Sequence, residues 1–133
     1  MSSLCEKNDD KIINSWEDLN IKSNLLRGIY SYGYENPSPI QKKGINPLIS
    51  NKDVIAQAQS GMGKTATFCI GTVGLIDPQL NEIQSCVLVH TRELALQVDT
   101  VFRYIGKYTD LRINLSVKGI LPRENMDSLQ GVN

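Results

Sequence analysis

The chain has 133 residues, 41% of them apolar and 21% charged, with 14 basic against 14 acidic side chains and no net charge. That length holds one domain rather than two, and the apolar share supports a buried core. Neutrality excludes a general electrostatic pull on nucleic acid, so any polyanion must be met by local groups.

In chain order, residues 1–14 are polar, with Glu6, Lys7, Asn8, Asp9, Asp10 and Lys11 in near succession, and read as a flexible tail. Trp16, the single tryptophan, stands just beyond the tail, where a lone aromatic usually packs over a core edge. Leu25, Leu26, Ile29 and Tyr30 recur at helical spacing within residues 23–32, and Gly33 stops that helix. Ser38 and Pro39 then serve as cap and first residue of a helix reaching about Ile49, with Pro47 expected to bend or shorten it. Asp53-Val54-Ile55-Ala56 is a short apolar run with the character of a buried strand, and Cys86-Val87-Leu88-Val89 is a second. Thr91 caps a further helix whose inner face carries Leu94, Val98, Val101, Phe102 and Ile105. Residues 113–117 alternate as a third strand, Lys118-Gly119-Ile120 turns, and residues 122–130 read as a short helix. Strand–helix units in this order predict a parallel α/β sheet with right-handed crossovers.

Between the first strand and the helix that follows lies Ala58-Gln59-Ser60-Gly61-Met62-Gly63-Lys64-Thr65. A strand, a glycine-bearing turn and a helix start form the phosphate-binding loop of a nucleoside-triphosphate site, here with Ala58 where the usual pattern has glycine. Gly61 and Gly63 let successive N–H groups curl toward phosphate oxygens, and the helix start adds orphan amides and its positive dipole end. Lys64 can reach the β- and γ-phosphates, and the Thr65 hydroxyl can hold the bridging Mg²⁺. These two are the candidate catalytic side chains, and residues 58–65 together are the candidate ATP-phosphate ligands. The competing reading is a glycine-rich connection with no ligand.

Three stretches, Gly33-Tyr34-Glu35-Asn36-Pro37-Ser38-Pro39-Ile40-Gln41, the 58–65 loop and Thr91-Arg92-Glu93-Leu94-Ala95, together resemble the Q motif, motif I and motif Ia of the DEAD-box RNA helicases, in family order. Residues 25–30 and 53–67 look nearest to the translation-initiation branch of that family. The resemblance implies an incomplete α/β, parallel-sheet P-loop NTPase (RecA-like) domain with an N-terminal helical extension. Its parts would be a tail (1–14), a Q-motif extension (15–50) and a partial ATP-binding domain (51–133). It implies that Gln41 reads adenine, a role a carboxamide suits because donor and acceptor lie side by side. Tyr34 would stack on the base, at a position where the family usually has Phe, and Trp16 matches an isolated upstream aromatic. Thr91 and Arg92 would contact the RNA backbone, as would Gly119, although Lys118 replaces the first of the family's paired glycines. His90 stands where most members have Pro, a substitution also found in the mRNA-export branch. Taken without the resemblance, Gln41 is a solvated helix residue and Thr91 a helix cap.

The family's Asp-Glu-Ala-Asp box, its Ser-Ala-Thr motif and its second domain do not occur in these residues. The expectation is therefore the N-terminal portion of an ATP-dependent RNA helicase, able to bind ATP and Mg²⁺ but not to position an attacking water. The alternative is a non-catalytic nucleotide- or RNA-binding fragment, or a competitor of a full-length helicase. Implied partners are single-stranded RNA, ATP and translation-initiation or mRNA-processing factors, with the chain itself a monomer. Cys5, Cys69 and Cys86 have no paired spacing, which suits reduced thiols. No apolar run approaches a membrane span, so the expectation is an intracellular protein, cytoplasmic or nuclear.

Overall fold

The computed structural model describes residues 12–118. Among these residues a 3-10 turn at Trp16–Asp18 precedes four helices: α1 (Ser23–Ser31), α2 (Pro39–Ile49), α3 (Lys64–Leu75) and α4 (Arg92–Ile105). Among the described residues no helix is long and apolar enough to cross a membrane.

The hub is α3, which packs against each of the other three. Its sequence is small or apolar on nearly every side, so Ala66, Thr67, Cys69, Ile70, Gly71 and Val73 are all buried. A helix with no polar face has to be enclosed. By contrast α1 and α4 are amphipathic: α1 buries Leu25, Gly28 and Ile29, and α4 buries Val98, Val101, Phe102 and Ile105. Those two helices touch backbone to backbone. A Cβ added at Gly28 would lie 1.9 Å from the Ile105 carbonyl oxygen, so only glycine permits this crossing.

The 3-10 turn is the other half of the core. Trp16 is fully buried, with Leu19 beside it. Order also begins earlier than composition suggests. Ile13, within the stretch read as a tail, is fully buried, and its N–H donates to the Lys42 carbonyl at 3.2 Å. One buried apolar side chain with a backbone anchor holds down a segment whose other described apolar residue, Ile12, faces solvent. Pro47 does not shorten α2, which continues to Ile49. So close to the helix end, its missing N–H costs one late hydrogen bond and no more.

The strands differ from expectation. Residues 53–57, 84–89 and 111–117 have no regular secondary structure, and among the described residues none forms a ladder. Ile55 is 102% exposed and Leu88 89%, the reverse of the buried-strand reading. Apolar β-branched runs supply strand character, but a ladder also needs a neighbouring edge for every N–H and C=O. These three stretches do not supply edges to one another. The 119–120 turn residues and the helix expected over 122–130 lie outside the described residues.

Candidate functional site

The phosphate loop is set by two glycines in the left-handed region, Gly61 at φ 80° and Gly63 at φ 88°. Gly63 is the N-cap of α3, and no acidic side chain occupies the first turn of that helix. Its opening amides therefore remain available to an anion, together with the positive end of the helix dipole. Ser60, Gly61, Met62 and Lys64 are exposed, and Gly63 and Thr65 half-buried. The Lys64 ammonium donates to the carbonyls of Ala58 and of Gln59, the latter at 2.8 Å, so it bridges the two arms of the loop.

Gln41 is not a solvated residue. Only 2% of it is exposed. Its Oε1 accepts the Ser38 N–H at 2.7 Å, closing the start of α2 in a capping box. Its Nε2 donates to the Gly63 carbonyl at 3.5 Å, a long bond, while the Ser38 hydroxyl donates to the Met62 carbonyl at 2.9 Å. The first turn of α2 is thereby fastened to the last two residues before α3. Gly63 is doubly constrained, because an added Cβ would stand 2.7 Å from Gln41 Nε2. Each end of the carboxamide keeps one further hydrogen-bonding capacity, a lone pair on Oε1 and a second N–H on Nε2.

Sequence reasoning missed two members of this arrangement. Ser38 was expected as a cap alone, and its hydroxyl also reaches across to the loop. The signal for the box was present in Ser38-Pro39-Ile40-Gln41, which has the S-x-x-Q spacing. Thr67 is buried, donates to the Gly63 carbonyl at 2.9 Å, and sets its methyl group against Gly44 of α2. No pattern marks that contact.

Trp16 and Tyr34 are brought together. The indole N–H donates to the Tyr34 carbonyl at 2.9 Å, and the ring centroids are 6.5 Å apart. Tyr34 is half-buried and packs on Tyr32 at 4.8 Å. Burial, helped by Tyr32 and Cys69, pushes the Tyr34 hydroxyl up to about 12, so it is neutral throughout the physiological range. With its whole surface covered, Trp16 holds the residues leading to Ser38 and presents none of its ring to solvent.

The second cluster lies at the start of α4. The Thr91 hydroxyl accepts the Leu94 N–H at 3.2 Å, so the capping role is present. Arg92 is exposed and its Nη1 lies 3.5 Å from the Lys118 carbonyl, which brings the α4 start beside the 118 turn. Gly119 lies outside the described residues. Among those residues no group of three or more His, Cys, Asp and Glu side chains could hold a metal.

A protein-family model described as DEAD/DEAH box helicase matches residues 38–133. The chain is 44% identical over 129 residues to the ATP-dependent RNA helicase eIF4A of Meyerozyma guilliermondii, covering 97% of this chain and 33% of that one. In structure it is similar to the RNA helicase Prp28 of Chaetomium thermophilum bound to ADP, with TM-score 0.74, 28% identity, and coverage of 86% and 29% of the two chains. It is also similar to S. cerevisiae Dbp5 bound to RNA and ADP BeF3, with TM-score 0.70, 32% identity, and coverage of 80% and 29%. The chain thus spans about a third of the length of the curated relatives it matches. These likenesses give the chain its fold: an incomplete RecA-like domain of α/β class. With loop, capping box and α4 start in family order, and more than half of the chain matched, the protein belongs to the DEAD/DEAH box helicase family.

Proposed function

We propose that this chain is the ATP-binding portion of an RNA helicase of the initiation-factor-4A kind. One observation carries the reading: Gln41, a side chain able to pair with adenine, rests against Gly63 at the head of the phosphate loop. Base and phosphate groups would then be held by two elements already fastened together. Lys64 would exchange the Ala58 and Gln59 carbonyls for β- and γ-phosphate oxygens, which carry more negative charge. The amides of residues 60–65 would line the phosphates. Thr65 would contribute its hydroxyl to Mg²⁺, whose remaining ligands would be phosphate oxygens and water. When bound, the metal supplies neutralisation of charge on the phosphates. Tyr34 would face the base, with Trp16 acting through it as a positioning residue.

RNA would meet the start of α4. The Thr91 hydroxyl is committed to its cap, so its contribution would come from the exposed helix start, with Arg92 supplying charge. Those groups position a backbone and read no bases. Dbp5 in its RNA complex is similar in structure to this chain, which supports RNA as the polymer. In the full helicase, ATP-driven closure of two domains on single-stranded RNA would part short duplexes.

A second reading, that the chain binds nucleotide without turning it over, is favoured by one sequence feature. No Asp-Glu-Ala-Asp occurs in these 133 residues, and without its carboxylates no group orients the attacking water. Titration calorimetry of the chain with ATP, ADP and GTP, with and without Mg²⁺, tests the common part. Adenine nucleotide should bind in preference to GTP, and Lys64→Ala should weaken ATP more than ADP. No heat at millimolar ATP would overturn the proposal. RNA-stimulated phosphate release separates the readings, because turnover by this chain alone would remove the second.

A further inference from the structure

The seam between α1 and α4, which adjoins the proposed nucleotide site where Tyr32 packs on Tyr34, carries a cationic and aromatic surface. The Arg27 guanidinium lies 4.1 Å from the centroid of the Tyr108 ring, and the Lys107 ammonium 5.5 Å from the same ring. One turn back along α4, Tyr104 is 54% exposed and meets Tyr32 edge to face at 5.7 Å. Gly28 against the Ile105 carbonyl brings these residues together, since that close crossing sets Arg27 beside Tyr108 and Tyr32 beside Tyr104.

Asp110, exposed three residues past Lys107, is the one acid in the turn that carries Lys107 and Tyr108; the nearer charges on this seam, Arg27 and Lys107, are basic. Helix α1 contains no acidic residue. On α4, beyond the first-turn Glu93, the one acid is Asp99, taken by Arg103 at 2.7 Å. Glu17, across α1, accepts a hydrogen bond from Tyr30. Among the described residues neither Arg27 nor Lys107 is paired with a carboxylate. Resting on a ring also pre-orders a guanidinium, whose N–H donors remain free for a bidentate partner.

We infer that the α1–α4 seam is a docking surface for an acidic peptide segment of a partner protein. Tyrosine and arginine are the side chains that dominate protein–protein contacts, and carboxylates are the groups that match cations held by no described carboxylate. A nucleic-acid strand suits the seam less well. Base stacking needs a free ring face, and here the Tyr108 ring is engaged by Arg27 and Lys107.

The test uses the 133-residue chain and a fluorescein-labelled ten-residue peptide of alternating Glu and Leu, followed by polarisation at two salt concentrations. A same-length Lys–Leu peptide and a ten-nucleotide oligouridylate are the comparison probes. Binding of the acidic peptide should weaken at least tenfold in the Arg27→Glu/Lys107→Glu protein, which should gain affinity for the Lys–Leu peptide instead. Arg27→Gln should weaken it less, and Lys43→Glu, on α2, should leave it unchanged. Lys64→Ala should also leave it unchanged, which separates this surface from the phosphate loop. Equal loss in Lys43→Glu, no gain for the basic peptide on charge reversal, or seam-dependent binding of oligouridylate in place of the acidic peptide would each overturn the assignment. Melting curves identify any variant that fails to fold, and Arg27→Gln then decides: unchanged affinity there overturns the assignment as well.

Discussion

Gln41 is asked to do two things, and two substitutions separate them. Gln41→Ala removes the acceptor of the Ser38 N–H and leaves that part-buried donor without its partner. A lost helix cap costs about 1 kcal/mol, and a stranded donor raises the sum toward about 2 kcal/mol. Truncating a side chain only 2% exposed also leaves a small void, which brings the total to about 2–3 kcal/mol. For a domain of this size that is a fall in melting temperature of roughly 10 °C. Gln41→Glu keeps the acceptor at the start of α2, where a negative charge gains about 0.3–1 kcal/mol from the dipole. It replaces the Nε2 donor with an oxygen facing the Gly63 carbonyl, which offsets that gain. Its melting point should therefore stay within a few degrees of the wild type. Its adenine preference should not survive, because an acceptor now faces the N7 acceptor of the base, and a loss of tenfold corresponds to about 1.4 kcal/mol. Thermal melts by circular dichroism and paired ATP and GTP titrations read the two effects. If Gln41→Ala melts with the wild type, the capping argument is wrong. If Gln41→Glu still prefers adenine, the base-reading argument is wrong.

Other expectations rest on packing and burial. Gly28→Ala should destabilise by about 3 kcal/mol or more, because its Cβ would meet a backbone oxygen that no rotamer can clear. Helix propensity alone gives the opposite sign, a gain of about 1 kcal/mol, so a urea melt decides between them. Trp16→Phe keeps an aromatic ring but leaves the Tyr34 carbonyl without its donor, which should cost about 1–2 kcal/mol and lower the urea midpoint. Cys86 is exposed and Cys69 buried, so iodoacetamide at pH 8 should label Cys86 in the native chain and Cys69 only in denaturant, as read by mass spectrometry. Burial pushes the Cys69 thiol from 9.0 up to about 12. The folded state then holds a proton that the unfolded chain releases above about pH 9, so this contribution to stability is full below that pH and declines as pH rises toward 12. Cys69→Ala should flatten that alkaline decline in a melt series from pH 8 to pH 11, and an unchanged slope would count against it.

Much of the helical layer was legible. Apolar spacing located α1 and α4, the Ser38-Pro39 pair located α2, and the glycines of the loop located the start of α3. These are local signals, in which cap, first turn and periodicity agree within a few residues. What escaped was tertiary. Nothing near Ile13 announces which of the paired Ile12 and Ile13 enters the core, since its anchor, the Lys42 carbonyl, is 29 positions away. The crossing at Gly28 and the stacking of Arg27 on Tyr108 depend on an interhelical distance that no spacing encodes. The strand runs show the same limit from the other side. Their apolar character was plain, but pairing belongs to two segments at once, and Ile55 and Leu88 are left facing water. At the site, the loop geometry followed from Gly61 and Gly63, whereas the fastening of Gln41 to Gly63 did not.

The phosphate loop also differs between its two ends. Past Gly63 the chain enters α3, enclosed by three other helices, while before Ala58 it leaves along a segment with no regular secondary structure. Lys64 ties the looser arm to the firmer one, so when its ammonium turns to another acceptor, residues 58–60 depend on whatever replaces it. Affinity at this loop would then carry an entropic toll, larger for ligands too short to span both arms. A diphosphate and a triphosphate should differ here by more than one charge's worth of attraction.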